Sequence, residues 1–234
     1  MLRSAMPSLV GAGAVPNETR ACWAVLQQMQ LGFDAVDRPV VPPELPAMAR
    51  DLEYVDLWKE VLKAQAFNFV LADHSLVQLR LDPSGREWMS FAFYECPHLT
   101  ARFDDFCREV APGGSRVAKQ ELRDLYREYV PTAPLRSNPI PVRYDLDYDA
   151  FDCGRHPAAH VHFGHNTQVR IATERCWRPL SFVAFIVRQF YAKEWQRFYA
   201  INPSHKVFRM VRQSLPAMPE EYLGGLAELE CRLS

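Results

Sequence analysis

The chain carries almost no net charge. Its 27 Lys and Arg against 28 Asp and Glu leave a formal charge of −1, which excludes a protein that coats nucleic acid by bulk charge but leaves room for a local basic patch. Paired cysteines are also missing. Cys22, Cys96, Cys107, Cys153, Cys176 and Cys231 are widely spaced and form no CxxC pair, so neither a zinc ribbon nor a disulfide framework is visible, and reduced thiols in a cytoplasmic protein are expected. No apolar run approaches the roughly eighteen residues of a membrane span. The richest, Leu180 to Val187, is about half that length. The first seventeen residues carry Arg3 and are broken by Pro7 and Pro16, so they lack the continuous apolar stretch of a secretion signal. A soluble protein with no membrane contact is expected. Also absent are a Gly-x-x-x-x-Gly-Lys phosphate loop, a dinucleotide glycine fingerprint, a Gly-x-Ser-x-Gly elbow, internal repeats and low-complexity tracts, which removes the motif-defined nucleotide-binding and serine-hydrolase classes.

What the chain has is core. Hydrophobic residues make up 48% and aromatics 12% of its 234 residues, enough for one principal, well-packed domain. Asn17 can cap a helix over 18–31 with Trp23, Leu26 and Met29 at helical spacing. The four prolines between Pro39 and Pro46 form an extended connector. A second helix is expected over 48–64, on the stripe Leu52, Val55, Trp58 and Leu62. Strands at 67–71, 75–81 and 87–94 make a meander with a turn at Pro83-Ser84-Gly85, and helices follow at 100–110 and 117–129. Another four prolines between Pro131 and Pro141 suggest a hinge. Strands near 142–148, 159–163 and 167–172 precede a long apolar helix over 179–199, opened by Pro179. The expected class is α+β: an antiparallel sheet packed on one side by helices. Residues 1–47 supply a helix and connector, 48–202 the core domain, and 203–234 a helical tail.

Chemistry concentrates in one region. Four of the seven histidines fall in His156-Pro-Ala-Ala-His160-Val-His162-Phe-Gly-His165, directly after Val142-Arg-Tyr-Asp-Leu-Asp-Tyr-Asp149. Side chains two apart in a strand share a face. Arg143, Asp145 and Asp147 therefore line up, as do His160 with His162 and Gln168 with Arg170, each opposite an apolar set. If the apolar sets pack on the core helix, the polar ones align as well. Gly164-His165-Asn166 provides a hairpin turn and puts His165 at the tip. A wet sheet face accounts for Arg143, Asp147, Gln168 and Arg170 taken singly about as well as function does. A His-x-His pair is harder to explain that way. His156 reads as a loop residue, and His74, His98 and His205 as structural.

Two chemistries fit this face. In one, His160 and His162 form a metal-free acid–base pair, Asp145 orients an imidazole, and Arg143 and Arg170, with His165 nearby, hold a phosphate. In the other, His160, His162 and Asp145 bind a divalent metal that activates water. Two arginines favour phosphate chemistry without a cofactor. The aromatic run Phe91 to Pro97 reads as sheet core, Cys96 as a weak nucleophile candidate, and Arg188, Lys193, Arg197, Lys206, Arg209 and Arg212 as a solvated positive rim.

The aromatic meander ending in Tyr94-Glu-Cys-Pro97, the Arg143-Tyr-Asp145 strand, the His160-Val-His162-Phe-Gly164 hairpin, Arg170-Ile171 and Pro179-Leu180 resemble a bacterial family known only as a domain of unknown function. The resemblance runs from about Trp58 to Tyr199 and implies a domain extent, not an activity. A looser likeness in layout, to small bacterial toxin ribonucleases, implies an endoribonuclease acting on RNA in toxin or phage-defence biology. A partner-binding subunit of a toxin–antitoxin or defence complex is the alternative, with the polar sheet face as its docking surface.

Overall fold

The structure is a computed structural model that describes residues 14–37, 39–81, 88–112, 118–153, 155–167, 169–203, 205, 215–223 and 232–233. Its chain order is α1 (Ala14–Gln28), β1 (Gly32–Ala35), α2 (Leu45–Asp51), α3 (Tyr54–Lys63), β2 (Phe69–Leu71), β3 (Leu76–Leu81), β4 (Trp88–Tyr94), α4 (Phe103–Val110), α5 (Lys119–Tyr129), β5 (Val142–Asp147), β6 (Ala159–Phe163), β7 (Arg170–Thr173), α6 (Pro179–Phe190), α7 (Ala192–Ile201) and β8 (Arg232–Leu233). The α+β class holds. Seven strands pair antiparallel in sequence order, and the short β8 joins the far edge parallel to β7.

Period-two alternation sorts the strands onto two faces. Phe69, Leu71, Val77, Leu79, Met89, Phe91, Phe93, Val142, Tyr144, Leu146 and Val161 build the larger core with α1 and α6. From the opposite face, Phe33, Val70 and Leu76 join a second core with α3, α4 and α5. Helices therefore flank both faces, and the one-sided cover expected from the sequence is corrected. The second cover protects only the β1–β3 end. Beyond it, the same face of β3–β7 carries Gln78, Arg80, Ser90, Arg143, Asp145, His162 and Arg170 around a cleft.

Both expected long helices are broken. The one over 48–64 is α2 and α3, divided where Leu52 and Glu53 turn extended, with ψ of 146° and 150°. The one over 179–199 divides at Tyr191 (φ −128°, ψ 47°). There the phenol donates to both carboxylate oxygens of Asp73, at 3.0 and 2.9 Å, a tertiary bond that periodicity cannot show. The N-terminal segment is integral to the fold: α1 begins ahead of the expected Asn17 cap, and β1, which no strand pattern announces, pairs with β2.

The Pro-rich stretch after α5 is tied down. Leu99 N–H donates to the Pro134 carbonyl and Arg136 N–H to that of Pro97, at 2.8 and 2.7 Å. The strands on either side of it, β4 and β5, pair along six residues. In the tail, the described residues form a 3-10 turn at Glu220–Tyr222 and the strand β8. The expected turn at Pro83–Gly85 and the cations Lys206, Arg209 and Arg212 lie outside the described residues. Among the described residues, no helix is long and apolar enough to cross a membrane.

Candidate functional site

The polar face of the sheet is a lattice of two rows, read off the strand register. One row runs Arg80, Ser90, Asp145, His160, Ala172 across β3 to β7. The other runs Gln78, Ala92, Arg143, His162, Arg170. Apolar alternation fixed this register, because a slip of one residue would drive Arg143 and Asp145 into the core that holds Val142, Tyr144 and Leu146. Arg143, Asp145, His160, His162 and Arg170 are thus brought together as the spacing predicts.

At the centre, His162 Nε2 lies 2.9 Å from His160 Nε2 and 3.4 Å from Asp145 Oδ2. His160 Nε2 is 4.0 Å from the same oxygen, and Arg143 Nε donates to it at 2.6 Å. The two imidazoles differ in access. His162 is 8% exposed and lines the cleft, whereas His160 is 2% exposed and stands behind it. His160 donates from Nδ1 to the Pro157 carbonyl at 2.9 Å, and His156 packs edge-on against it with ring centroids 4.9 Å apart. Burial, with His162 beside it, pushes the His160 imidazole down to about 4, so at neutral pH it is uncharged. Burial alone would raise the Asp145 carboxyl, but bonding to His162, the Arg143 guanidinium and Ser90 together hold it at about 2. Asp145 is an anion at any physiological pH.

Over this floor lies a cleft of about 760 Å³, walled by Leu45, Pro46, Ala49 and Arg50 of α2 and by the β6–β7 tip, a size suited to a small ligand or a few residues of a polymer. Among the described residues, its charged lining consists of Arg50, Arg80, Arg143 and Arg170 against a single carboxylate, Asp145. Sequence reasoning missed Arg80 and Ser90, although Gln78 and Arg80 show the same two-apart polar signal as Arg143 and Asp145. Arg50 comes from a helix more than ninety positions away and carried no such signal.

The tip is longer than the three-residue turn expected, since β7 starts at Arg170 rather than 167; Gln168 lies outside the described residues. His165 Nε2 donates to the Leu52 carbonyl at 2.7 Å, so the α2–α3 break presents the acceptor on which the tip docks. Gly164 sits at φ +85°, where an added Cβ would lie 2.9 Å from the Thr167 methyl. Gly164→Ala is therefore expected to lower stability by about 1–2 kcal/mol, seen as an earlier urea midpoint with an unchanged slope. An unshifted midpoint would show that the tip can re-form without a left-handed residue.

Asp147 caps a turn instead of joining the cluster: its Oδ1 accepts the N–H groups of Asp149 and Ala150, at 3.0 and 3.1 Å. Burial pushes the Cys96 thiol up to about 12, which makes it a poor nucleophile. His98 donates from Nδ1 to the Ala133 carbonyl, 2.9 Å away, and does not line the cleft.

Neither a curated protein nor a solved structure matches the chain. A family model described as an uncharacterized conserved protein (DUF2290) matches residues 34–220, from β1 through the Asp145–His162 centre to the tail, and the chain belongs to that family.

Proposed function

We propose that the protein cleaves phosphodiesters, with RNA as the substrate, at the cleft above Asp145 and His162. The observation that carries this reading is the convergence of an anionic carboxylate and a cleft-facing imidazole in a cleft whose described lining sets three floor arginines and Arg50 of the α2 wall against one carboxylate. Guanidinium matches a phosphate in shape and charge. Arg170 and Arg143 flank His162 in one row, so a phosphate held between them has its phosphorus beside His162. The attacking oxygen, a water or the ribose 2′-hydroxyl, is activated at the Asp145–His162 end, and Arg143 and Arg170 stabilise the charge that develops on the phosphoryl oxygens. His160 is a positioning residue in this scheme. Lying 2.9 Å from His162 on the same side, it does not straddle a substrate as the opposing half of an acid–base pair would. The concavity of the site favours an enzyme over a flat docking face.

The test is hydrolysis of labelled single-stranded RNA, the matching DNA, and bis(p-nitrophenyl) phosphate by the full chain, with and without added divalent ions. His162→Gln is expected to lower the rate by about 10²–10⁴. Arg170→Gln should lower kcat and kcat/KM together by about tenfold, the signature of a contact made chiefly in the transition state. Induced expression in bacteria should arrest growth with the wild type and not with His162→Gln, which also examines the toxin or defence setting. A wild-type chain inert on all three substrates, or full activity in His162→Gln, would overturn the reading.

A further inference from the structure

We infer that Asp145, His160 and His162 form a mononuclear site for a divalent first-row transition ion such as Zn²⁺, with its open positions facing the cleft. The inference deepens the phosphodiester reading by naming a cofactor for the same centre, and it is measured independently of cleavage.

Geometry is the first argument. The three donor atoms, His160 Nε2, His162 Nε2 and Asp145 Oδ2, are separated by 2.9, 3.4 and 4.0 Å. A triangle with those sides has a circumradius of about 2.0 Å, which is the length of a zinc–nitrogen or zinc–carboxylate bond. One point near the plane of the three atoms is therefore at bonding distance from all of them. A markedly larger triangle would have failed this condition, because no point would then lie within bonding distance of all three donors.

Hydrogen-bond accounting is the second. His160 faces the Pro157 carbonyl with Nδ1 at 2.9 Å, and a carbonyl only accepts, so the ring proton sits on Nδ1. That leaves His160 Nε2 as a bare lone pair aimed at its neighbours. Imidazole held by a backbone carbonyl on the far nitrogen is the arrangement that orients histidine for metal ligation. Asp145 Oδ2 is likewise acceptor-only, and Arg143 Nε fixes it at 2.6 Å from the other side. Two acceptors thus converge on one imidazole nitrogen, which can offer a single proton to both. A cation satisfies all three at once.

Access and donor type are the third. Asp145 and His162 line the cleft, while His160 is sealed beneath. Three protein donors with the remaining side open is the pattern of a catalytic ion site, in contrast to the closed four-donor structural kind. Two nitrogens and one oxygen suit zinc, cobalt, nickel or iron better than the oxygen-preferring Mg²⁺ and Ca²⁺. An ion here adds two positive charges beside Arg143 and Arg170, where a phosphate would lie, and supplies a bound water with a lowered pKa as the attacking group. That water would give up a proton to solvent as its oxygen bonds to phosphorus and the phosphorus–oxygen ester bond breaks, and the leaving oxygen would take up a proton from solvent.

The full-length chain, stripped with a chelator and dialysed, is titrated with ZnCl₂ by calorimetry and with CoCl₂ by visible absorption. One equivalent per chain is expected for each metal, with cobalt bands typical of low coordination and no competition from excess Mg²⁺. His162→Gln and Asp145→Asn should weaken binding on the order of 100-fold or more, beyond what loss of a supporting contact costs. Both residues reach the cleft surface, so these variants are preferred over changes at the buried His160, and circular dichroism confirms their fold. Absence of Zn²⁺ and Co²⁺ binding by the wild type, or one full-affinity equivalent in folded His162→Gln, would overturn the site. Metal binding without cleavage of any phosphodiester leaves the site standing and removes the function proposed for it. Cleavage by a chelated, metal-free chain that also binds neither Zn²⁺ nor Co²⁺ on titration does the reverse.

Discussion

Tyr144→Ala is expected to lower the unfolding free energy by about 4–8 kcal/mol, a large part of the roughly 5–15 kcal/mol that holds a domain together. The residue lies between Arg143 and Asp145 on β5 but points the other way and is fully buried. Its ring stacks on Trp177 at 5.3 Å and 9°, and on Phe91 at 5.7 Å and 27°. Its hydroxyl accepts the Trp177 backbone N–H at 2.9 Å. Truncation thus opens an aromatic-sized cavity, worth about 3–5 kcal/mol, and strands a buried N–H, worth about 1–3 more. Tyr144→Phe separates the two contributions: it keeps the ring, loses the acceptor, and should cost about 1–3 kcal/mol. Arg143→Gln, one position away on the wet face, should cost less than about 1 kcal/mol, because its partner Asp145 is reached from solvent. Urea unfolding of the three variants measures all of this. A loss under about 2 kcal/mol for Tyr144→Ala would mean that the core beneath the site collapses around the cavity.

That contrast between adjacent residues explains why the site was legible in the sequence. In β5 and β6 the polar and apolar sets alternate without interruption, so burying Val142, Tyr144, Leu146 and Val161 together forces Arg143, Asp145, His160 and His162 into register on the other side. No alternation, however, separates His160 from His162. Their difference in access comes from the 156–158 segment behind one and the open cleft before the other, which are tertiary facts. The breaks in the two long helices are equally tertiary. Neither Leu52–Glu53 nor Tyr191 carries a proline or glycine, and each break coincides with a long-range bond, His165 to the Leu52 carbonyl and Tyr191 to Asp73. The edge strand β1 is four residues long and acquires its conformation from β2. The second cover over the sheet went unread because helices α2 to α5 are amphipathic in a way that any surface helix is, and amphipathicity does not say which face of a sheet receives it.

His74, which the sequence offered only as an isolated histidine in a turn, is expected to make the protein acid-labile. It is 3% exposed, its Nδ1 has no hydrogen-bond partner among the described residues, and Phe33, Trp58 and Tyr126 pack around it with ring centroids at 5.4, 6.2 and 5.5 Å. Burial, with Arg127 nearby, pushes the imidazole from its ordinary 6.5 down to about 4. The unfolded chain therefore takes up this proton near pH 6.5, and the folded chain only near pH 4. Between those values the unfolded state binds more protons, so stability falls as pH falls, by about 3 kcal/mol over the whole window. Above pH 6.5 the residue contributes no slope, and below pH 4 the loss is complete. His74→Asn is the informative replacement, because φ here is +65° and Asn tolerates the left-handed region. The variant forfeits ring packing and starts less stable at pH 7, yet its stability should decline less steeply on acidification. His160, also depressed to about 4, titrates in the same direction in both proteins, so the difference between the two curves isolates His74. Urea midpoints measured from pH 7.5 to 4.5 supply those curves, and parallel lines would show that His74 takes up its proton in the folded core as readily as in the unfolded chain.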